Sequence, residues 1–117
     1  MNRFQDDRGV IEDLLETHLN SVTEITTRAG AIRGNHVHDH TTQWTYVVYG
    51  LLLVAWQRNG NVHTKSYGPH SLIIEPPGIP HAWQAINDTR VLVFTQGPRS
   101  GSAYESDTRR LEVPILA

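Results

Sequence analysis

The sequence of 117 residues contains no cysteine, and this absence excludes two kinds of site. Disulfide bonds cannot form, and a bound metal would have to be held by histidine, carboxylate or amide ligands instead of thiolates. The chain also has no apolar run near the roughly 20 residues of a membrane-spanning helix, and its start, MNRFQDDRG, lacks the apolar core of a secretory signal. We therefore expect no membrane partner and take the cytoplasm as the default location.

The sequence also lacks a cluster of basic residues, and its formal net charge is −2. Proteins that bind nucleic acids through phosphate contacts carry a basic patch, so a nucleic-acid partner is not expected. Hydrophobic residues make up 38% and charged residues 19% of the chain, which is typical of a globular protein with one core. A small molecule is the expected partner.

Most of the chain reads as short strands separated by turns, the pattern of an all-β sandwich or barrel. The segment Ser21–Thr27 alternates and is rich in β-branched residues, and residues 43–57 are rich in Val, Tyr and Trp. Asn59-Gly60 predicts a tight hairpin turn.

Two regions differ from this pattern of strands and turns. Residues 10–19 have apolar side chains at helical spacing, which favours a short N-terminal helix with a strand over its first half as the alternative. Residues 97–117 are polar and turn-rich but end in LEVPILA, which suggests a tail docked on the domain or on a second subunit.

Three histidines lie within RGNHVHDHTTQW, residues 33–44. On a strand, His36 and His38 point to the same side, so their imidazoles can converge on one point. His40 falls in the following turn and is expected to be solvated. Gln43 opens the next strand, and His81 follows a Pro-Gly turn at the start of another. Imidazoles with one oxygen donor suit a borderline divalent metal.

The spacing Gly30, His36-x-His38, Gln43 and Gly50 resembles the first motif of the cupin superfamily, with Gln where the family usually has Glu. The second motif is similar to GPHSLIIEPPGIPHAW, which begins at Gly68 and ends just after His81.

Ala85 stands where an Asn is common in the second motif, and the turn before His81 predicts a positive φ at Gly78. The resemblance implies an all-β fold, the cupin-type double-stranded β-helix, which is a jelly-roll barrel of two antiparallel sheets. It also implies a single cupin domain over residues 1–117, with motif 1 at about 30–50, motif 2 at about 68–85 and the docking tail at 97–117.

The resemblance further implies a metal site of His36, His38, Gln43 and His81. The cofactor would be one divalent ion: Zn, Fe, Ni, Co, Mn or Cu. Our main hypothesis is a metal-binding cupin that acts on, or binds, a small polar or carbohydrate-like molecule through this site. As an enzyme it would be a metal-dependent isomerase, epimerase or dioxygenase, and the fold alone does not decide whether it is one.

A second hypothesis comes from DDRGVIEDL and RGNHVHDHTTQ, which resemble the RmlC-like cupins that act on nucleotide-linked sugars, the 3,4-ketoisomerases and 3,5-epimerases. By that resemblance the enzyme would be metal-free, with His36 and His38 as acid–base groups. Arg33 would also match, although strand alternation places it opposite His36. A third hypothesis is a non-catalytic module that binds a small ligand.

Alternation also predicts the other residues near the site. Residues at even spacing from Gln43 or His81 lie on the same strand face as those two. This places four side chains in the pocket: Thr45, Val47, Tyr49 and Trp83. On the opposite face, the apolar row Trp44, Tyr46 and Val48 should avoid water. Together with the apolar tail, this row predicts a homodimer.

Overall fold

The structure of the protein is a computed structural model, and it describes residues 2–98 and 101–117. Its strands form a four-stranded sheet in the order β3-β10-β5-β8, a five-stranded sheet in the order β11-β4-β9-β6-β7, and a separate hairpin of β1 and β2. The elements are β1 Arg3–Asp6, β2 Gly9–Glu12, β3 Ser21–Thr27, β4 Ile32–His38, β5 Thr42–Tyr49, β6 Leu52–Arg58, β7 Asn61–Tyr67, β8 Leu72–Glu75, β9 His81–Ala85, β10 Thr89–Gln96, α1 Gly101–Asp107 and β11 Thr108–Arg110. All recorded pairs are antiparallel, so the predicted all-β jelly-roll class is confirmed.

The core lies between the two large sheets, because each sheet contributes apolar side chains from one face. Strand β10 shows the alternation best: Val91 and Val93 are buried, whereas their neighbours Leu92 and Phe94 are only partly buried. The buried cluster draws on both sheets: Val47, Leu52, Val54, Ile73, Trp83, Val91 and Val93. At about 25 cal/mol per Å² of apolar surface buried, such a cluster is the main stabilising contribution to the sandwich.

The hairpin between β6 and β7 forms at the predicted turn. Asn59 and Gly60 both have positive φ, at 52° and 78°, and Arg58 pairs with Asn61 across them. Positive φ at both central residues gives the turn a twist that matches the twist of the strands.

The predicted N-terminal helix is wrong. Residues 9–12 form strand β2, which pairs with β1 so that Phe4 lies opposite Ile11, and residues 13–20 contain no helix. The turn is held by Asp6, whose carboxylate accepts hydrogen bonds from the backbone and side chain of Arg8. The side-chain hydrogen bond from Arg8 also lowers the pKa of Asp6. Ile11 is 65% exposed, so the apolar spacing of this segment does not mark a face buried in the core.

The predicted C-terminal tail contains both a helix and a strand, while its residues 99 and 100 lie outside the described residues. Strand β11 pairs with β4 and places Arg110 opposite His36. Farther on, the Asn35 side chain accepts hydrogen bonds from the backbone of Ile115 and Leu116 and donates one to the Leu116 carbonyl. The tail therefore docks on its own domain. No helix in the described ranges is long and apolar enough to cross a membrane.

Gly34 and Gly78 have positive φ for different structural reasons. Gly78 has φ of 78°, as its sequence context predicts, and an added Cβ would meet no atom within 4 Å. Gly34 has φ of 90°, and an added Cβ would lie only 3.0 Å from the Ala82 Cα and 3.1 Å from the His81 carbonyl oxygen. Gly34 thus also permits a close approach between β4 and β9.

These two glycines give a matched pair of substitutions. We expect Gly78→Ala to cost about 1 kcal/mol of unfolding free energy, because only the backbone is strained. Gly34→Ala should cost at least about 1 kcal/mol more, because the methyl group also meets the backbone of β9. Urea denaturation of both variants measures the difference. Equal costs would show that β4 and β9 separate without penalty.

Candidate active site

Three histidines meet between the sheets. Their positions on neighbouring strands explain this, because His36 on β4 pairs directly with His81 on β9, and His38 follows His36 on the same strand. The Nε2 atoms of His36 and His81 are 3.1 Å apart, and one ring nitrogen from each of the three histidines lies within 4.8 Å of the others. His38 and His81 are buried, whereas His36 is partly exposed.

Two of these rings are oriented by hydrogen bonds at Nδ1. The His81 Nδ1 lies 3.3 Å from the Ile79 carbonyl oxygen, and the His38 Nδ1 lies 3.1 Å from the Thr108 hydroxyl. The carbonyl oxygen can only accept, so the His81 Nδ1 carries a proton in this contact. Both bonds fix the ring plane and leave Nε2 for the site, and the bond to the carbonyl also fixes the tautomer of His81.

A buried carboxylate, Glu75, completes the group. Its Oε2 atom lies 3.1 Å from the His81 Nε2 and accepts a 2.9 Å hydrogen bond from the Gln43 amide nitrogen, while its Oε1 accepts a 2.6 Å bond from the Thr45 hydroxyl. The bond from Gln43 uses Nε2 and not the carbonyl oxygen that the sequence predicts as a ligand. The motif lacks a carboxylate at position 43, but Glu75, the cross-strand partner of Gln43, supplies one beside it.

Glu75 is not among the residues predicted for the site, although the sequence contains a signal for it. The residue ends the apolar run SLIIE, immediately before the prolines that lead to His81. An acidic residue in a strand whose other members are apolar must find partners when it is buried.

A second buried carboxylate, Asp107, fixes the turn that follows His38. It accepts hydrogen bonds from the His40 backbone N–H and from the Thr41 hydroxyl, at 2.7 and 2.5 Å. At the surface of this turn, Arg109 donates two hydrogen bonds to Asp39, and this interaction lowers the pKa of the Asp39 carboxyl. The exposed position of His40 agrees with its place in the turn, outside the cluster.

Arg33 faces the same side as His36, which corrects the expectation from simple alternation. The pairing of β4 with β9 shifts between Gly34 and His36, so the extra residue, Asn35, forms a bulge with φ of 58°. A bulge changes the alternation by one residue. As a result Arg33 pairs with Trp83, while its guanidinium donates hydrogen bonds to the Thr27 hydroxyl and the Thr26 carbonyl.

A cavity of about 360 Å³ opens beside the histidines, and we call it the histidine cavity. Its polar lining consists of Arg33, His36, Gln43, His81, Tyr104 and Arg110. Helix α1 and strand β11 supply Tyr104 and Arg110, and the Tyr104 ring lies 5.9 Å from that of His38. The C-terminal segment, which carried no recognisable motif, therefore builds one wall of the site.

Comparison with known protein families identifies the architecture. The sequence model of the family described as Cupin matches residues 12–109, which is most of the chain. The chain belongs to the cupin family. Its Gly30–Gly50 and Gly68–Ala85 motifs both lie inside the matched range.

Solved structures similar to this cupin include enzymes of sugar metabolism. QdtA, a sugar 3,4-ketoisomerase from Thermoanaerobacterium thermosaccharolyticum in complex with TDP, has a TM-score of 0.78 at 15% identity, over 95% of this chain and 84% of that one. The dTDP-4-dehydrorhamnose 3,5-epimerase from Sulfolobus tokodaii has a TM-score of 0.74 at 18% identity, over 97% and 78%. The capsular polysaccharide assembling protein CapF from Staphylococcus aureus has a TM-score of 0.68 at 20% identity, and here the cupin spans only 34% of the other chain.

At these identities the likeness concerns the fold of the cupin. A comparison with curated proteins found no match to its sequence.

The pocket residues predicted for this cupin divide into three groups. Trp83 lines the histidine cavity and Thr45 binds Glu75, so both lie at the site. Val47 is fully buried in the core. Tyr49 is misplaced by the prediction: it is 46% exposed and lines a different depression, with Thr27 and Arg28. The pairing of β5 with β10 shifts at Arg90, next to Tyr49, so alternation does not extend to the end of β5.

Proposed function

We propose that this cupin is an isomerase or epimerase that moves protons on a nucleotide-linked keto sugar. The observation that carries this proposal is a chain of contacts from His36 to a buried carboxylate. The His36 and His81 Nε2 atoms are 3.1 Å apart, and the His81 Nε2 is 3.1 Å from the Glu75 Oε2. His36 and His81 line a cavity that also contains two arginines. This is the second of our sequence-based hypotheses, and it is favoured over the metal-dependent one. Imidazoles suit the task because they exchange protons near neutral pH.

The similar structures support the same substrate class. QdtA is a sugar 3,4-ketoisomerase, and one of its structures holds TDP-4-keto-6-deoxyglucose. A second similar structure is a 3,5-epimerase of dTDP-4-dehydrorhamnose. Both reactions begin by removing a proton from a carbon next to a carbonyl group, so one histidine arrangement serves either reaction.

The reaction balances without any other reactant. In a 3,4-ketoisomerisation, a base takes the proton from C3 of a 4-keto sugar, a C3–C4 double bond forms, and O4 gains a proton. The O3 hydroxyl then loses its proton as the C3 carbonyl forms, and C4 gains one. In an epimerisation, the proton returns to the same carbon from the opposite face.

We assign the base to His36, because it lines the histidine cavity and is less buried than the other two histidines. The unprotonated Nε2 of His81 takes the proton from the His36 Nε2 or returns it there, and the adjacent Glu75 carboxylate stabilises the His81 imidazolium while it carries that proton. His38 does not line the cavity, and its ring lies 4.5 Å from that of His36. We therefore give His38 a positioning role, whereas the sequence alone favoured His36 and His38 together.

The two arginines would bind the diphosphate of the substrate. A guanidinium presents up to five N–H donors in a planar fork that matches phosphate oxygens. Arg33 uses Nε and Nη2 for its bonds to β3, which hold the side chain in place, and Arg110 enters from β11.

Divalent-metal binding is the second candidate, and a separate observation favours it. The donor atoms of His36, His38 and His81 lie within 4.8 Å of one another, and two of the rings are held through Nδ1 as in metal sites. These three imidazoles fit such an ion and would hold it. When bound, the ion would polarise a substrate carbonyl.

A homodimer is our proposal for the quaternary structure. The outer face of the four-stranded sheet is apolar, with Val22 at 58% and Ile74 at 62% exposure beside Trp44. The β1–β2 hairpin exposes Phe4, and an isolated two-stranded hairpin is marginally stable in water. A second copy packed on both surfaces would cover them. The C-terminal tail no longer supports this proposal, since it docks on its own chain.

The proton-transfer proposal predicts the behaviour of His36→Asn. With dTDP-4-keto-6-deoxyglucose in D₂O, the wild type should incorporate deuterium at C3, detected by NMR. His36→Asn should slow this exchange by about 10²–10⁴-fold. TDP binding, measured by calorimetry, should remain. His40→Asn is the matched control and should exchange at the wild-type rate. Tight TDP binding without exchange by the wild type would instead identify a non-catalytic binding module.

The metal-binding hypothesis predicts how three substitutions change the affinity for a divalent ion. His81→Ala should weaken Zn²⁺ or Ni²⁺ binding by at least about 100-fold, Gln43→Glu should tighten it by adding a negative charge, and His40→Ala should leave it unchanged. Metal analysis and calorimetry measure all three variants. Deuterium exchange that persists in metal-free protein would assign the reaction to the imidazoles alone.

The dimer proposal predicts a mass of twice 13.2 kDa by light scattering at micromolar concentration. Ile74→Lys should shift the mass to that of a monomer, because it buries a charge in the interface. Val62→Lys is the control, since Val62 is 48% exposed on the edge strand of the other sheet. A monomeric wild type would refute the proposal.

A further inference from the structure

A second cavity, of about 240 Å³, lies on the other side of β9 from the histidine cavity, and we call it the edge cavity. Most of its lining is apolar or aromatic, and Arg58 also contributes: Val54, Trp56, Arg58, Tyr67, Ile73, Ile74, Pro76 and Ile79. Glu75 and His81, which are both buried, complete the lining. The edge cavity and the histidine cavity therefore share His81.

The walls of the edge cavity suit a flat apolar ligand. Trp56 and Tyr67 contribute aromatic rings, and Val54, Ile73 and Ile79 contribute aliphatic side chains. Aromatic rings prefer offset or edge-to-face contacts with other rings. Ligand sites are usually lined in this way, with a few polar groups that fix orientation.

One cationic side chain lines the edge cavity and a second lies on the neighbouring strand, beside a lining residue. Arg58 lines it, and Lys65 pairs across the strands with Val54, which places Lys65 on the same face. The Lys65 ammonium lies 5.2 Å from the centre of the Tyr67 ring. Within the described ranges, neither Arg58 nor Lys65 forms an ion pair. The Glu75 carboxylate is engaged by Gln43, Thr45 and His81 at the buried side of the cavity, whereas Arg58 is exposed.

We propose that the edge cavity is a second ligand site, for a planar aromatic molecule that carries one carboxylate. The ring system packs between Trp56 and the aliphatic wall, and the carboxylate lies at the opening against Arg58. This inference does not depend on the proposed isomerase activity, because it concerns only binding in a different cavity.

The three tryptophans allow a direct test, since each reports on a different surface. Trp56 lines the edge cavity, Trp83 lines the histidine cavity, and Trp44 lies on the outer face of the four-stranded sheet. The probe is 2-naphthoate, titrated into ¹⁵N-labelled protein while the indole N–H resonances are followed by NMR. We expect the Trp56 resonance to shift in a saturable manner and the Trp44 resonance to remain in place. Shifts confined to Trp83 or Trp44, or no saturable shift of Trp56 at millimolar probe, would overturn the proposal.

Charge recognition is tested with a neutral ligand and with variants. The amide 2-naphthamide should bind about fivefold more weakly than 2-naphthoate, because it lacks the interaction with Arg58. Arg58→Gln should reduce this preference, and because Arg58 is exposed we expect this variant to fold as the wild type does. Arg110→Gln, at the histidine cavity, is the matched control and should keep the preference. Equal binding of acid and amide by the wild type, or an unchanged preference in Arg58→Gln, would refute the role of Arg58.

Discussion

The buried carboxylate of Glu75 is the constraint around which the site is arranged. An ionised carboxylate away from water is strongly destabilising unless hydrogen-bond donors surround it. Gln43 and Thr45 supply donors from the neighbouring strand β5, and His81 approaches from β9 in the opposite sheet. One charge thus links the two sheets at the position where the histidines meet. It also determines that the Gln43 amide nitrogen, and not its oxygen, points toward β8.

The bulge at Asn35 in β4 has two effects that a regular strand would not have. It turns Arg33 toward the cavity that His36 also lines, and it presents the Asn35 side chain to the end of the chain. That attachment, together with β11, holds Tyr104 and Arg110 against the histidines. The backbone irregularity in motif 1 therefore positions residues that lie some 70 positions later in the sequence.

Sequence reasoning succeeded where a pattern was local or belonged to a known motif. The strands, the Asn59-Gly60 hairpin and the positive φ of Gly78 all follow from alternation and turn chemistry. It failed where tertiary structure overrides alternation, as at the Asn35 bulge and the end of β5 near Tyr49. It also failed where nothing in the local sequence distinguishes the outcome. The apolar spacing of residues 10–19 fits a helix, but the turn at Asp6 and the pairing with β1 make part of it a hairpin strand.

His81 stands between two cavities, and this position has a thermodynamic consequence. Because the same ring lines both cavities, a ligand that changes the orientation or protonation of His81 in one cavity also changes the wall of the other. If occupancy of the edge cavity changes the affinity of the histidine cavity by some factor, occupancy of the histidine cavity must change the affinity of the edge cavity by the same factor. The shared His81 ring would be the route of such a coupling.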